Sequence, residues 1–269
     1  MKSPTLKLRP VCVRLRIMTR PSILATVFAL AASAAGAQTD PLDRADSLSA
    51  RFEYTEAVEA YRSAGSETGF RTLSGLSHAE NMLGMDLLAN EERDSAEAHF
   101  QRAIDAAERM AELYPDSAAT HFNLAGAHGN LALVKGAKAK VQLGRDVERY
   151  ALRALEIDST HSDALTVLGV FYREVAMLNW MERLVARTLF GGLPSSSLET
   201  SKSYLRRAIE HDPASAWAMY ELGQTLIEMD RPEEARGAFQ RLAGIEPRNS
   251  QDVRNKAEAS AWMAVRVKD

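Results

Sequence analysis

Apolar and polar positions recur along this chain with a period close to that of a helix, and one arrangement returns five times. A small residue is followed four positions on by a bulky one and three further on by another small or aliphatic one. The sets are Ala57-Tyr61-Ala64, Ala96-Phe100-Ala103, Ser201-Leu205-Ala208, Ala235-Phe239-Leu242 and, in weaker form, Val147-Ala151-Ala154. Each set falls on one stripe of a helix, as a second helix needs if it is to fold back on a first. The first helices carry their own mark, a Leu-Gly or Leu-Ala pair that admits a close neighbour: Leu124-Ala125, Leu168-Gly169 and Leu222-Gly223. No stretch alternates with period two for long enough to make a strand. The pattern therefore predicts paired helices over 41–51 with 54–64, 68–90 with 94–113, 117–134 with 138–157, 162–178 with 198–211, and 215–229 with 232–245. A last helix over 250–267 has Val253, Ala257, Ala261 and Ala264 on one side and charges on the other. Capping boxes are expected at Asp94 with Glu97, Ser196 with Glu199 and Asp230 with Glu233.

Register comes from proline. Pro213 and Pro247 lie 34 residues apart and Pro115 closes an earlier unit, which is the period and punctuation of tetratricopeptide (TPR) repeats. From Ala96 to Pro115 is 19 residues, about two turns more than a standard unit, and whole turns keep the buried face in place. The expected fold is an all-α, TPR-like α-solenoid of about five helical hairpins with a C-terminal capping helix. Inside the fourth hairpin sits an amphipathic insertion, 179–198, with an FGGLP turn.

Composition changes the picture at one end only. Among the first 37 residues are six basic and no acidic ones, then the apolar run from Ser22 to Ala35 and Ala35-Gly36-Ala37. That reads as an export signal cleaved after Ala37, too short in its apolar part for a membrane span. Met18-Thr19-Arg20 would open a signal of ordinary length, so Met18 is the expected start. The helical domain, 38–269, then holds 27 basic against 36 acidic residues. An acidic surface repels nucleic acid and anionic lipid heads. Cys12, the one cysteine, leaves with the signal, so no disulfide, thiol nucleophile, thiolate ligand or lipid-bearing cysteine is expected in the exported form. The expected location is the periplasm.

Several residues together carry a family likeness: Leu168-Gly169, Tyr172, Trp180-x-x-Arg183-x-x-Ala186 with Leu189-Phe190, Pro194, and the helix ending Ala208-Ile209. His121 and the run DVRNKAEASAWM within the last helix add to it. In these residues the chain resembles the regulator of microtubule dynamics family. The resemblance implies an all-helical adaptor without catalysis. An exported chain would not meet tubulin.

The inner face of a TPR array is lined by fixed positions of each first helix. In the fifth unit these are Trp217, Tyr220, Gln224, Ile227 and Glu228; in the fourth, Asp163, Thr166, Val170, Arg173 and Glu174. Trp217 and Tyr220 either form part of a partner-binding groove or lie under the C-terminal helix. The charges of the fourth unit either orient a ligand or form a local pair on a solvated face. Trp180, Leu184 and Phe190 are expected to plug the gap inside the fourth hairpin while Arg183 and Arg187 reach carboxylates. His121 and His128, seven apart on one helix face, are read as packing positions rather than metal ligands. The sequence holds no Gly-x-Ser-x-Gly elbow, His-Glu-x-x-His, Walker loop or Gly-x-Gly-x-x-Gly. It thus points to a non-enzymatic adaptor without metal or cofactor that binds a protein or peptide partner in its groove. The alternative is a small-molecule-binding accessory of a transport system; an enzyme with an unrecognised site is a third possibility.

Overall fold

The structure, a computed structural model, describes residues 40–65, 68–180, 183, 184, 187, 188 and 196–265. The expected export signal and most of the insertion lie outside the described residues. Among those described there are eleven α-helices and no strand: α1 (Pro41–Ala50), α2 (Tyr54–Ser63), α3 (Phe70–Ala89), α4 (Arg93–Leu113), α5 (Ala118–Val134), α6 (Ala137–Ile157), α7 (Ser162–Met177), α8 (Leu198–His211), α9 (Ala216–Glu228), α10 (Pro232–Ala243) and α11 (Ser250–Val265). Consecutive helices pair into five antiparallel hairpins, each resting on the next. Every expected helix is present, with ends that differ by a few residues at most.

The repeated triplets explain the pairing. Phe100, Leu205 and Phe239 are fully buried, and each lies over a glycine of its partner helix: Gly84, Gly169 and Gly223. A Cβ on those glycines would fall 2.5, 2.5 and 2.1 Å from the bulky side chain. Glycine therefore sets how closely the helices approach, at a propensity cost of roughly 1 kcal/mol per helix-interior site. The core is a chain of local clusters between neighbouring helices rather than one centre, as in a solenoid. The first two hairpins are also tied by Glu80, a fully buried carboxylate of α3. It meets Arg62 of α2 at 2.6 Å and His99 and Arg102 of α4 at 2.6 and 3.3 Å.

Helix ends differ from the expected capping boxes. Within hairpins one, two and five, a non-glycine residue with positive φ (Phe52, Glu91, Asp230) follows the first helix. Its neighbour's N–H then reaches back to the third-last helical carbonyl: Glu53 to Leu48, Glu92 to Leu87, Arg231 to Leu226, at 2.9–3.0 Å. These are Schellman turns. They use up the connection, so α4 and α10 start at Arg93 and Pro232 with no side-chain cap, and Asp94 and Asp230 do not cap. In the fourth hairpin the cap is Ser197, which accepts from Thr200 N–H, while Ser196 donates to the Tyr172 carbonyl.

The last helix docks through a face other than the expected one. Val253, Ala257, Ala261 and Ala264 are exposed, whereas Asp252, Asn255 and Ala259 are buried. Trp262 packs edge-on against Phe239 at 5.3 Å. The N-terminal end of the helix also reaches the other end of the array. There Ser250 N–H donates to Tyr54 Oη at 3.2 Å, Ser250 Oγ donates to Asp86 at 2.6 Å, and Arg254 pairs with Asp86 at 2.6 Å. The helix thus caps the fifth hairpin and also latches it to α2 and α3.

Candidate functional site: an inner cavity

Inside this latch the inner faces of α3, α5, α6, α7 and α9 surround a cavity of about 510 Å³, with Asn249, Gln251 and Asp252 completing the wall. That volume lies in the range of small-ligand sites. Most of the lining is apolar: Met82 and Met85 from α3, Val141 and Val147 from α6, Val167, Val170 and Phe171 from α7, and Trp217 from α9.

Three glycines of the wall have a different reason to be small from those under Phe100, Leu205 and Phe239. At Gly126, Gly129 and Gly144 an added Cβ would find its nearest neighbour at 4.0, 3.7 and 3.5 Å, ordinary contact distances. No packing against another helix requires glycine there, yet each lowers helix propensity. What the three share is the cavity, which they widen.

Part of the lining is charged. Arg173 Nη1 lies 2.7 Å from Glu221 Oε2, both side chains only 12% exposed, and Trp217 Nε1 donates to Glu221 Oε1 at 3.1 Å. Asp163, in the first turn of α7, and Asp252, in that of α11, also face the cavity. Burial pushes both carboxyls above the ordinary aspartate range; for Asp252 the charge of Asp163 adds to the effect. Burial likewise holds His78 of the α3 wall below the usual histidine range.

The positions expected to form an open groove divide between the cavity and the packed interior. Asp163, Val170, Arg173, Glu174 and Trp217 line the cavity. Tyr220 is buried and donates to Glu258 of α11 at 2.5 Å, and Gln224 donates to the Tyr220 hydroxyl. Ile227 packs into the cluster of the last hairpins. Thr166 is fully buried and donates to the Ser162 carbonyl of its own helix. Glu228 is exposed at the end of α9. Tyr220, Gln224 and Thr166 are thus engaged in contacts within and between helices, while Glu228 faces solvent. The wall supplied by α3 and α5 was not anticipated, although Leu83-Gly84 is the same Leu-Gly pair seen in α7 and α9.

Two further expectations need correction. Trp180 is 72% exposed and Leu184 50%, so neither plugs the hairpin; Phe190 lies outside the described residues. Arg183 reaches the carbonyls of Leu178 and Ala176 at 3.0 and 2.9 Å, closing the C-terminal end of α7 rather than a carboxylate. His121 and His128 pack around Tyr150, with ring centroids at 6.4 and 5.3 Å.

The family model for "Regulator of microtubule dynamics protein 1-3" matches residues 42–265, from the first hairpin to the end of the latch helix. The chain belongs to this family. Regulator of microtubule dynamics protein 1 from Bos taurus is 26% identical over 176 residues, covering 60% of this chain and 56% of that one. The Mus musculus protein is 24% identical over 159 residues, covering 59% and 52%. This regulator of microtubule dynamics family member thus spans about half the length of these curated relatives. Its fold is that of a thermophilic TPR protein from Thermus thermophilus, with a TM-score of 0.60 at 15% identity over 82% of this chain and 97% of that one. Among the described residues, no helix is long and apolar enough to cross a membrane.

Proposed function

We propose that this family member is a non-enzymatic binding scaffold of the cell envelope that holds a compact ligand in its inner cavity. The observation that carries the reading is the glycine-widened, mostly apolar cavity. A long peptide would need an open groove, and α11 lies across the inner face of α9 through Tyr220 and Glu258. About 510 Å³ suits a small molecule, and helices fixed by packing spare such a ligand much of the ordering cost of docking. Export rests on the basic stretch and apolar run before Gln38; a mature form isolated from its host should begin at Gln38 by intact mass.

The test fills the cavity without disturbing the fold. Gly126→Leu and Gly129→Leu add a side chain on the cavity wall where the new Cβ meets its neighbours at ordinary contact distance. Protein isolated from its native envelope and sprayed under native conditions should carry a bound small molecule in the wild type and lose it in both variants, with thermal unfolding preserved. A wild type that carries nothing, or variants that keep the adduct, would count against the proposal.

A protein partner is the second reading, supported by the exposed apolar side chains of Met177, at the end of α7, and of Trp180 and Leu184 beyond it. Substituting all three by serine should then abolish capture of that partner while leaving the small-molecule adduct in place.

A further inference from the structure

A carboxylate in an apolar wall is costly to keep unless something satisfies it. Asp252 is 3% exposed; its Oδ2 accepts the Arg248 N–H at 2.8 Å, but its Oδ1 has no hydrogen-bond partner. Asp163, on the same cavity wall, makes no hydrogen bond or ion pair among the described residues and stands close enough for its charge to act on Asp252. Arg248 is a cation whose charge acts on both, and its guanidinium is engaged with Asp212 through two bonds of 2.5 and 3.2 Å. Arg173 is likewise engaged with Glu221 at 2.7 Å. Arg173 also lies 3.6 Å from Glu174, which leaves Lys140 as the other cation of a lining that holds Asp163 and Asp252 as well. The cavity therefore carries an acidic end in excess of its own counter-charges, beside a wall of methionine, valine and aromatic side chains.

We propose that Asp163 and Asp252 receive the protonated amine of a ligand whose apolar body fills the rest of the cavity. This rests on the reading that the cavity holds a small ligand. An ammonium supplies what the two carboxylates of this wall lack, a positive charge and N–H donors. A metal ion is a poorer match, since no group of three or more histidine, cysteine, aspartate or glutamate residues among those described could hold one. Two carboxylates and an orphan oxygen suit a monovalent organic cation instead. Ion pairing of a ligand in a low-dielectric pocket is worth more than on a surface, so the head group should dominate selectivity.

The test uses three probes with one body: n-octylamine, n-octanol and octanoate, titrated calorimetrically into the full chain at neutral pH. The amine should bind at least about tenfold more tightly than the alcohol, and octanoate most weakly. Asp252→Asn and Asp163→Asn should each cut amine affinity about tenfold, towards that of octanol, while octanol binding stays as it was. Asp163 makes no hydrogen bond among the described residues, so its variant carries the test if Asp252→Asn does not fold. Equal affinity for amine and alcohol, preference for octanoate, or amine binding unchanged in Asp163→Asn would overturn the assignment. Binding of the alcohol without a preference for the amine would remove the cationic ligand but leave the cavity as a binding site. Failure of all three probes to bind would take the cavity reading with it.

Discussion

The fourth and fifth hairpins are built on one plan and present different inner faces. In both, a glycine of the first helix lies under a bulky residue of the second: Gly169 under Leu205, Gly223 under Phe239. Both first helices are capped by the residue before them, with His161 and Ser215 accepting the N–H three positions on. Yet α7 turns Asp163, Val170, Arg173 and Glu174 towards the cavity, while α9 turns Tyr220 and Gln224 under α11. The repeat specifies how a helix pairs with its successor. What lies on the remaining face is decided by a contact far away in the chain.

The sharpest break in that comparison sets a packing glycine against a cavity glycine. In Gly223→Ala the new Cβ would sit 2.1 Å from Phe239 Cε1, and overpacking of this kind costs about 1–3 kcal/mol. Gly126→Ala meets nothing closer than 4.0 Å and should stabilise by about 0.5–1 kcal/mol from helix propensity. Denaturant unfolding of the two variants should therefore move in opposite directions. A loss at both positions would mean that the cavity glycines are packing glycines after all.

Next in size is the contact that covers the fifth hairpin. Tyr220→Phe removes the hydroxyl shared by Glu258 and Gln224 and should cost about 1–2 kcal/mol, since the bond involves a charged partner in a buried setting. Hydrogen exchange should rise along α11 and stay unchanged in α7. The equivalent place in the fourth hairpin is Thr166, whose hydroxyl bonds only within its own helix, and Thr166→Val should stay within about 0.5 kcal/mol of the wild type. A comparable loss at both would dissolve the difference between the two faces.

Much of this was legible in the sequence, and the part that was not has a physical reason. Helix pairing could be read because Ala96-Phe100-Ala103 and its counterparts encode contacts between neighbours in the chain. The glycine beneath Phe100 was readable by the same rule, as Leu83-Gly84, and was overlooked because the stretched second unit breaks the regular spacing. Capping at Asp94 and Asp230 failed because Schellman turns through Glu91 and Asp230 leave no room for an N-cap, and a turn with positive φ at Glu91 has no signature in residue type. Closure of the array could not be read at all. It depends on Ser250 meeting Tyr54 and Arg254 meeting Asp86, partners 196 and 168 residues apart that no local pattern connects. Half of the cavity went unseen with it, since α3 and α5 become walls only once the latch brings the two ends of the array around a common space.

The smallest expected effect belongs to the residue that sequence pattern made most conspicuous. Trp180 invites a core role, because large-to-small changes of buried aromatics typically cost about 3–5 kcal/mol. At 72% exposed it has little apolar area to lose, and surface changes away from caps and buried networks usually stay within about 0.5 kcal/mol. Trp180→Ala should therefore leave the unfolding midpoint nearly unchanged, while Arg183→Ala, which strips the end of α7 of two side-chain donors, lowers it slightly. The order of the two carries the argument. If the tryptophan variant is the less stable of the pair, the segment after α7 contributes to the core through its ring. If the arginine variant is, the segment serves the fourth hairpin by closing the α7 terminus, and the indole is left available to whatever approaches from outside.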